Sequence, residues 1–371
     1  MPLDRLVLHG LRNLQPVDFE PVSRVNLITG ENGSGKTSLL EGIHILGMGR
    51  SFRTRNMRHV IAHEGDELLV HGRLGGDPPI PFGVRRRRSE DELEIRLAGE
   101  RVARLASLVE TLPLQLINPD AFRLLEGSPA GRREFLDWGV FHVKQDFLEA
   151  WQRARRALKH RNALLRHGRM SDASLTAWEH ELVHWSERID AMRGAWVEAF
   201  LPVFEETLAG LLPLEGLRLR YTRGWDRRRS LAEVLRQGRD VDRQMGFTQQ
   251  GPQRADLAIR LGKRPAIEVL SRGQQKLVVS AMKLAQGRLL EASTGRRCVY
   301  LIDDLPAELD APHRRLFCRW LENMRCQVFI TSIEPDALAD LWRADTPLAM
   351  FHVKRSAAGS GELLPRERKI S

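Results

Sequence analysis

One segment governs what can surround it: GENGSGKT, residues 30–37, which follows the apolar run VNLIT at 25–29. It meets every fixed position of the phosphate-loop pattern G-x-x-x-x-G-K-[ST], a loop that works between a buried strand and the start of a helix. Both neighbours are present. Residues 25–30 read as a buried apolar strand ending in glycine, and a helix is expected over about 36–47. In such a loop the glycines let backbone amides curl around phosphates. Lys36 would reach the β- and γ-phosphates and the Thr37 hydroxyl would ligate Mg²⁺. The candidate nucleotide loop is therefore Gly30, Glu31, Asn32, Gly33, Ser34, Gly35, Lys36, Thr37 and Ser38.

A Mg²⁺ ion held by a hydroxyl and by phosphates usually takes a carboxylate as well. VYLIDD, an apolar strand ending in Asp303 and Asp304, supplies it. A buried strand often ends in Asp merely to cap the next turn, but beside a phosphate loop Asp303 becomes the metal holder, through water or directly. Asp304 then stands where it accepts a proton from, or orients, an attacking water. Glu308 and Asp310, in PAELD, are the reserve carboxylates.

The C-terminal third alternates strand-like runs (CVYLIDD, CQVFITS, LAMFHV) with helical ones near 312–322 and 335–342, the signature of a parallel sheet covered on both faces. That sheet also requires the strand before the phosphate loop, so the core is split between the two ends of the sequence with the middle inserted. Residues 50–118 alternate short β-like runs with turns and read as an antiparallel subsheet. Its run Arg85 to Arg88 suits either phosphate contact or the blocking of edge pairing. From Phe147 the period becomes helical. Phe147, Trp151, Ala154, Leu158 and Leu165 form one seam, and a second runs from Leu175 to Phe200. Together they predict an antiparallel hairpin over about 144–203, turning at Gly168, with the tryptophans in its core. The first helix carries Lys144, Arg153, Arg155, Arg156, Lys159, Arg161, Arg166 and Arg169, read as a basic outer face open to phosphate contact.

The formal charge of +10 favours a polyanionic partner, nucleic acid or an anionic membrane surface. No run approaches the roughly 20 apolar residues of a membrane span. Cys298, Cys318 and Cys326 lack metal-ligand spacing and read as reduced, buried thiols of a cytoplasmic protein.

VLSRGQQKLVVSAMKLAQ, residues 269–286, reads first as an amphipathic helix capped by Ser271. In chain order, however, the phosphate loop, LSRGQQK and VYLIDDLPAELD resemble the Walker A, signature and Walker B with D-loop motifs of ABC-type ATPases, in the subgroup that includes SMC proteins. GENGSGKTSLLEGIHILGMGRSFR, LEGSPAGRREFLDWGVFHV and GPQRADL closely resemble the RecF family of bacterial DNA replication and repair proteins, and the likeness spans nearly the whole chain. The resemblance implies an α/β fold: an ABC-type P-loop ATPase lobe with an antiparallel β subdomain over 1–120 and 245–371, and an inserted, mainly α-helical lobe over 121–244. It implies ATP and DNA binding, an ATP-dependent homodimer, slow hydrolysis, and work with RecR and RecO to promote RecA loading and so the SOS response.

Residue by residue, the resemblance gives the phosphates to residues 30–37, Mg²⁺ to Thr37 and Asp303, and the catalytic carboxylate position to Asp304. Ser271 and Gly273, with Gln274 beside them, would contact the γ-phosphate of nucleotide held by the other subunit, with Asp310 in the D-loop. Gln115 is the expected Q-loop residue and Ser332 the switch. The three ATPase motifs are shared with transporter cassettes, against which the charge, the basic hairpin and the family-specific stretches argue. The chain departs from the family at Gln253, where histidine is usual, and at Asp304, one methylene shorter than the glutamate usual in ABC ATPases.

Overall fold

The computed structural model describes residues 1–90, 92–167, 172–334, 336–356 and 359–366. Gly168, Arg169 and Pro335, named above as a turn, part of a basic face and a helix start, lie outside them. The chain forms two compact units, residues 1–121 with 276–371, and residues 122–275.

The first unit holds two sheets. One has the order Gly361–Arg366, Leu348–Arg355, Val25–Thr29, Gln327–Ser332, Val299–Ile302, Leu114–Ile117, parallel throughout except for the edge hairpin made by its two C-terminal strands. Val25–Thr29, buried at every position, sits between strands from near the C-terminus, as the split-core reading requires. The other sheet is antiparallel and takes Val17–Phe19 and Leu3–His9 as well as the expected Glu67–Leu74, Ile80–Arg87 and Leu93–Leu97. Helix Lys36–Met48 packs against strands of both sheets, and its residues 38–47 are all buried. Leu40, Ile43 and Leu46 join one apolar core with Leu6, Val70 and Phe82 from one sheet and Ile28, Leu301 and Phe329 from the other. A helix buried all round needs such a sandwich. Within the run Arg85 to Arg88, Arg85 pairs with Glu67 at 2.6 Å, Arg87 with Glu90 at 2.7 Å, and Arg88 donates to the Ala62 carbonyl at 2.7 Å.

His44 sits inside that sandwich, its Nδ1 2.8 Å from the Arg50 carbonyl and its ring edge-on to Phe52. Burial pulls its pKa down to about 4, so the folded state keeps it neutral. Below about pH 6.5 the unfolded chain takes up a proton that the folded chain refuses. Stability is then lost as the pH falls from 6.5 towards 4, by about 2 kcal/mol between pH 7.5 and pH 5 at 1.36 kcal/mol per pKa unit. Denaturant titrations across that range should show this slope, and His44→Asn, which keeps an N–H donor without a titration, should flatten it; an unchanged slope would assign it to other groups. The three cysteines are free and buried, and burial pushes the Cys318 and Cys326 thiols up to about 12.

The second unit is mainly helical. Phe147–His167 and Asp172–Ala209 pack side by side as the hairpin, preceded by Pro129–Val143 and followed by Leu231–Gln237 and Arg239–Met245. Strands Leu217–Thr222, Asp256–Leu261 and Arg264–Pro265 form a small antiparallel sheet. Because Asp256–Leu261 pairs with Leu217–Thr222, residues 245–275 fall with this unit, and the second boundary lies inside helix Arg272–Thr294 rather than at 245.

Two expectations about the hairpin are corrected. Its buried stripe on the first helix keeps Phe147, Ala154 and Leu165 of the expected seam but adds Ala150 and Ala157, small residues that let the helices approach, in place of Trp151 and Leu158, and of the hairpin's tryptophans only Trp196 is buried. Trp151, Trp178 and Trp185 sit half-buried under Arg155, His160 and Arg188. Arg161 is not on the outer face at all. It falls on the buried stripe at 0% exposure, where Glu179 and Asp242 hold it. Arg153, Arg155, Arg156, Lys159 and Arg166 are exposed.

Candidate nucleotide site

The phosphate loop is shaped by backbone that only glycine takes readily. Gly30, Gly33 and Gly35 have φ of 150°, 77° and 118°. A Cβ on Gly30 would also lie 2.4 Å from the Val353 carbonyl oxygen, and one on Gly35 2.5 Å from a Leu14 methyl. Helix Lys36–Met48 starts at Gly35 without a side-chain cap, so its first amides stay available to an anion. Lys36 Nζ donates to the carbonyls of Gly30 at 2.7 Å and Glu31 at 2.9 Å. Burial lowers its pKa, and the charges of Asp304 and Asp303 oppose that shift.

Strand Val299–Ile302, buried throughout, delivers Asp303 and Asp304 to the same place. The Thr37 hydroxyl lies 3.0 Å and 3.1 Å from the two Asp303 oxygens. Asp304 adopts the left-handed conformation, φ 51° and ψ 54°, which turns the chain out of the strand and into the single helical turn Leu305–Glu308. Burial, and then the Asp303 charge, raise the Asp304 pKa against the pull of Lys36. Lys36, Thr37, Ser38, Asp303, Asp304 and Glu308 line one cleft of about 420 Å³, together with Asn32, Gly33 and Gly35. Glu308 is held there by Lys276 at 2.9 Å. An all-oxygen pair, one hydroxyl and one carboxylate, suits a hard cation completed by phosphate oxygens and waters. Among the described residues, no group of three or more His, Cys, Asp or Glu could hold a metal by itself.

Arg12, Asn13 and Arg53 also line the cleft and were not anticipated. The two arginines trace to Glu41, a carboxylate with no exposed surface on the helix after the loop. Arg12 grips it with two nitrogens, one at 2.7 Å; Ser51 donates to it, and Arg53 stands 3.5 Å away. The available signal was a lone glutamate inside SLLEGIHIL: a buried carboxylate demands a cation.

Several candidates lie elsewhere. Gln115 is buried within strand Leu114–Ile117, its amide donating to Gln286 at 2.8 Å, so it does not line the cleft. Ser332 turns its hydroxyl to the Glu334 carbonyl at 2.8 Å. Asp310 caps helix Ala311–Met324 through the His313 amide at 3.0 Å. In the second unit Ser271 and Gln274 form a reciprocal capping box, the Ser271 amide donating to Gln274 Oε1 at 2.9 Å and the Gln274 amide to Ser271 Oγ at 3.3 Å. Gly273 is exposed, with open space where a Cβ would stand. Gln253 donates to the carbonyls of Gln250 and Thr248 at 3.3 Å and 3.4 Å.

A family model described as the RecF/RecN/SMC N-terminal domain matches residues 2–358. A protein of Chromohalobacter salexigens named DNA replication and repair protein RecF is 68% identical over 354 residues, covering 95% of this chain and 98% of its own. The protein of the same name from Azotobacter vinelandii is 54% identical, covering 96% and 97%. The fold is shared with the solved structure of the recombination mediator protein RecF with ATP, at TM-score 0.85 and 22% identity over 98% of this chain and 97% of that one. An Smc head domain bound to the C-terminal winged-helix domain of ScpA aligns at TM-score 0.61 and 14% identity over 100% and 98%. With more than half of its residues identical to those relatives from end to end, and a phosphate loop facing a strand that ends in paired aspartates, the chain belongs to the RecF family.

Proposed function

We propose that this chain is an ATP-switched DNA-binding protein of replication and recombinational repair, and that the cleft at Lys36 binds and slowly hydrolyses ATP. The observation that carries the reading is the convergence of Lys36, Thr37, Asp303 and Asp304 on one cleft from opposite ends of the sequence. The free amides at the start of helix Lys36–Met48 and the Lys36 ammonium receive the phosphates. Thr37 and Asp303 would hold Mg²⁺, which on binding would neutralise phosphate charge. Asp304, whose carboxylate is more basic than usual, orients the attacking water and takes its proton. Arg12 and Arg53 add positive charge at the rim.

The exposed capping box at 271–274 supports a second role, as the surface that meets nucleotide held by another copy of the chain. ATP then drives dimer formation by binding the dimer more tightly than the monomer. The +10 charge and the exposed arginines of helix Phe147–His167 support DNA as the clamped partner. No described helix is long and apolar enough to cross a membrane. The names of the relatives and the RecFOR pathway to which the solved RecF–ATP structure is assigned support action beside RecR and RecO, which sets this chain to work in the cytoplasm. Light scattering tests the reading. ATP with Mg²⁺ should move the mass from monomer towards dimer, duplex DNA should strengthen the shift, and Ser271→Arg should abolish it. Wild-type protein that stays monomeric with ATP and DNA would overturn the dimer switch.

A further inference from the structure

We propose that Thr331 is a positioning residue of the hydrolytic site, one hydroxyl that sets the Asp303 carboxylate and the Asp304 main chain together. This rests on the reading of the cleft as an ATPase site.

Strand register places it there. Gln327–Ser332 runs parallel to Val299–Ile302 with Ile330 beside Ile302, so the next residue on each strand is Thr331 and Asp303. Thr331 has no exposed surface. Its Oγ1 donates to Asp303 Oδ1 at 2.7 Å and accepts from the Asp304 amide at 2.8 Å. A hydroxyl has one proton to give, and here that proton is committed to the metal-side carboxylate while a lone pair holds the next residue's backbone. What it holds is a left-handed non-glycine residue, a conformation that side-chain-bearing residues avoid and that persists only where the surroundings impose it. The turn at Asp304 carries its side chain into the cleft beside Lys36. Thr37 bonds Asp303 from the phosphate-loop side, and its hydroxyl is the group expected to turn to a cation; Thr331 is the anchor on the sheet side, with no exposed surface and no place in the cleft lining. Serine keeps both bonds. Valine keeps the shape and loses both.

The test uses the full chain with Thr331→Val and Thr331→Ser, and Thr331→Ala as a second hydroxyl-free variant should valine fail to fold. Three readouts are needed: amide exchange of the peptide over residues 303–309 without nucleotide, equilibrium ATP binding, and turnover. A positioning role predicts that valine speeds exchange, leaves ATP affinity within about threefold, and lowers turnover by about tenfold or more, because small displacements of reacting groups cost rate rather than binding. Serine should stay within about twofold of wild type on all three. Valine and alanine with wild-type exchange and turnover would overturn the inference, as would equal losses of binding and turnover, the mark of a merely structural residue. Failure of the wild type itself to hydrolyse ATP would overturn the ATPase reading instead, and the exchange readout would still judge the Thr331 clamp.

Discussion

Lys36→Met should weaken ATP binding by about 10²-fold or more while leaving the folded state within about 1 kcal/mol of wild type. Hydrogen bonds to charged groups contribute about 1.5–3 kcal/mol each, and 1.4 kcal/mol is tenfold in affinity. An ammonium bridging two phosphates makes at least two such bonds. Without nucleotide the same nitrogen is bonded to the Gly30 and Glu31 carbonyls, so binding exchanges those contacts for charged ones and the net loss lies near the lower end. Stability should move little, because the carbonyl of exposed Glu31 passes to water and the loss of the bond to buried Gly30 is offset by removing a desolvated ammonium. Titration calorimetry with ATP, paired with a denaturant melt, separates the two effects. A variant that binds ATP within about threefold of wild type would remove Lys36 from the phosphate site.

Much of that site was legible because its chemistry is local in sequence. The loop needs its glycines, lysine and threonine at fixed spacing, and Gly30, Gly33 and Gly35 adopt the positive φ that such a curled loop requires. Pairing the loop with Asp303 required one further step, that Val25–Thr29 must enter a sheet built from the far end of the chain, and the parallel register with Gln327–Ser332 satisfies it. What escaped was whatever depends on side chains meeting across elements. Arg12 and Arg53 reach the cleft only because Glu41 is buried between them. Ser332 was the expected polar residue after VFIT, but in the sheet its neighbour Thr331 points to Asp303, and strand alternation turns Ser332 away. Gln115, an interior strand residue bonded to Gln286, does not line the cleft either.

Arg161 is the sharpest case, and it carries a large predicted effect: Arg161→Met should destabilise the second unit by about 3–5 kcal/mol. Read as one more basic residue on a solvent face, it would be expendable to the fold. In the structure its Nε and Nη2 bond Glu179 Oε1 at 3.1 Å and 2.9 Å, and Nη1 bonds Asp242 Oδ2 and Thr248 Oγ1, both at 2.7 Å. Those contacts join the two hairpin helices, helix Arg239–Met245 and the loop after it. Methionine fills much of the volume but leaves two carboxylates behind. Glu179 keeps Arg239 at 2.5 Å, whereas among the described residues Asp242 keeps the Gln249 amide at 2.9 Å and no cation. Breaking a buried pair from one side strands a charge, and the cost of that charge outweighs the loss of any single bond. Asp242→Asn added to Arg161→Met should therefore recover part of the loss, because it removes the stranded charge. Denaturant melts of the single and double variants decide it. A single variant within about 1 kcal/mol of wild type would mean that the buried network contributes little net stability, and a double variant no better than the single would place the cost in lost packing rather than in the unpaired aspartate.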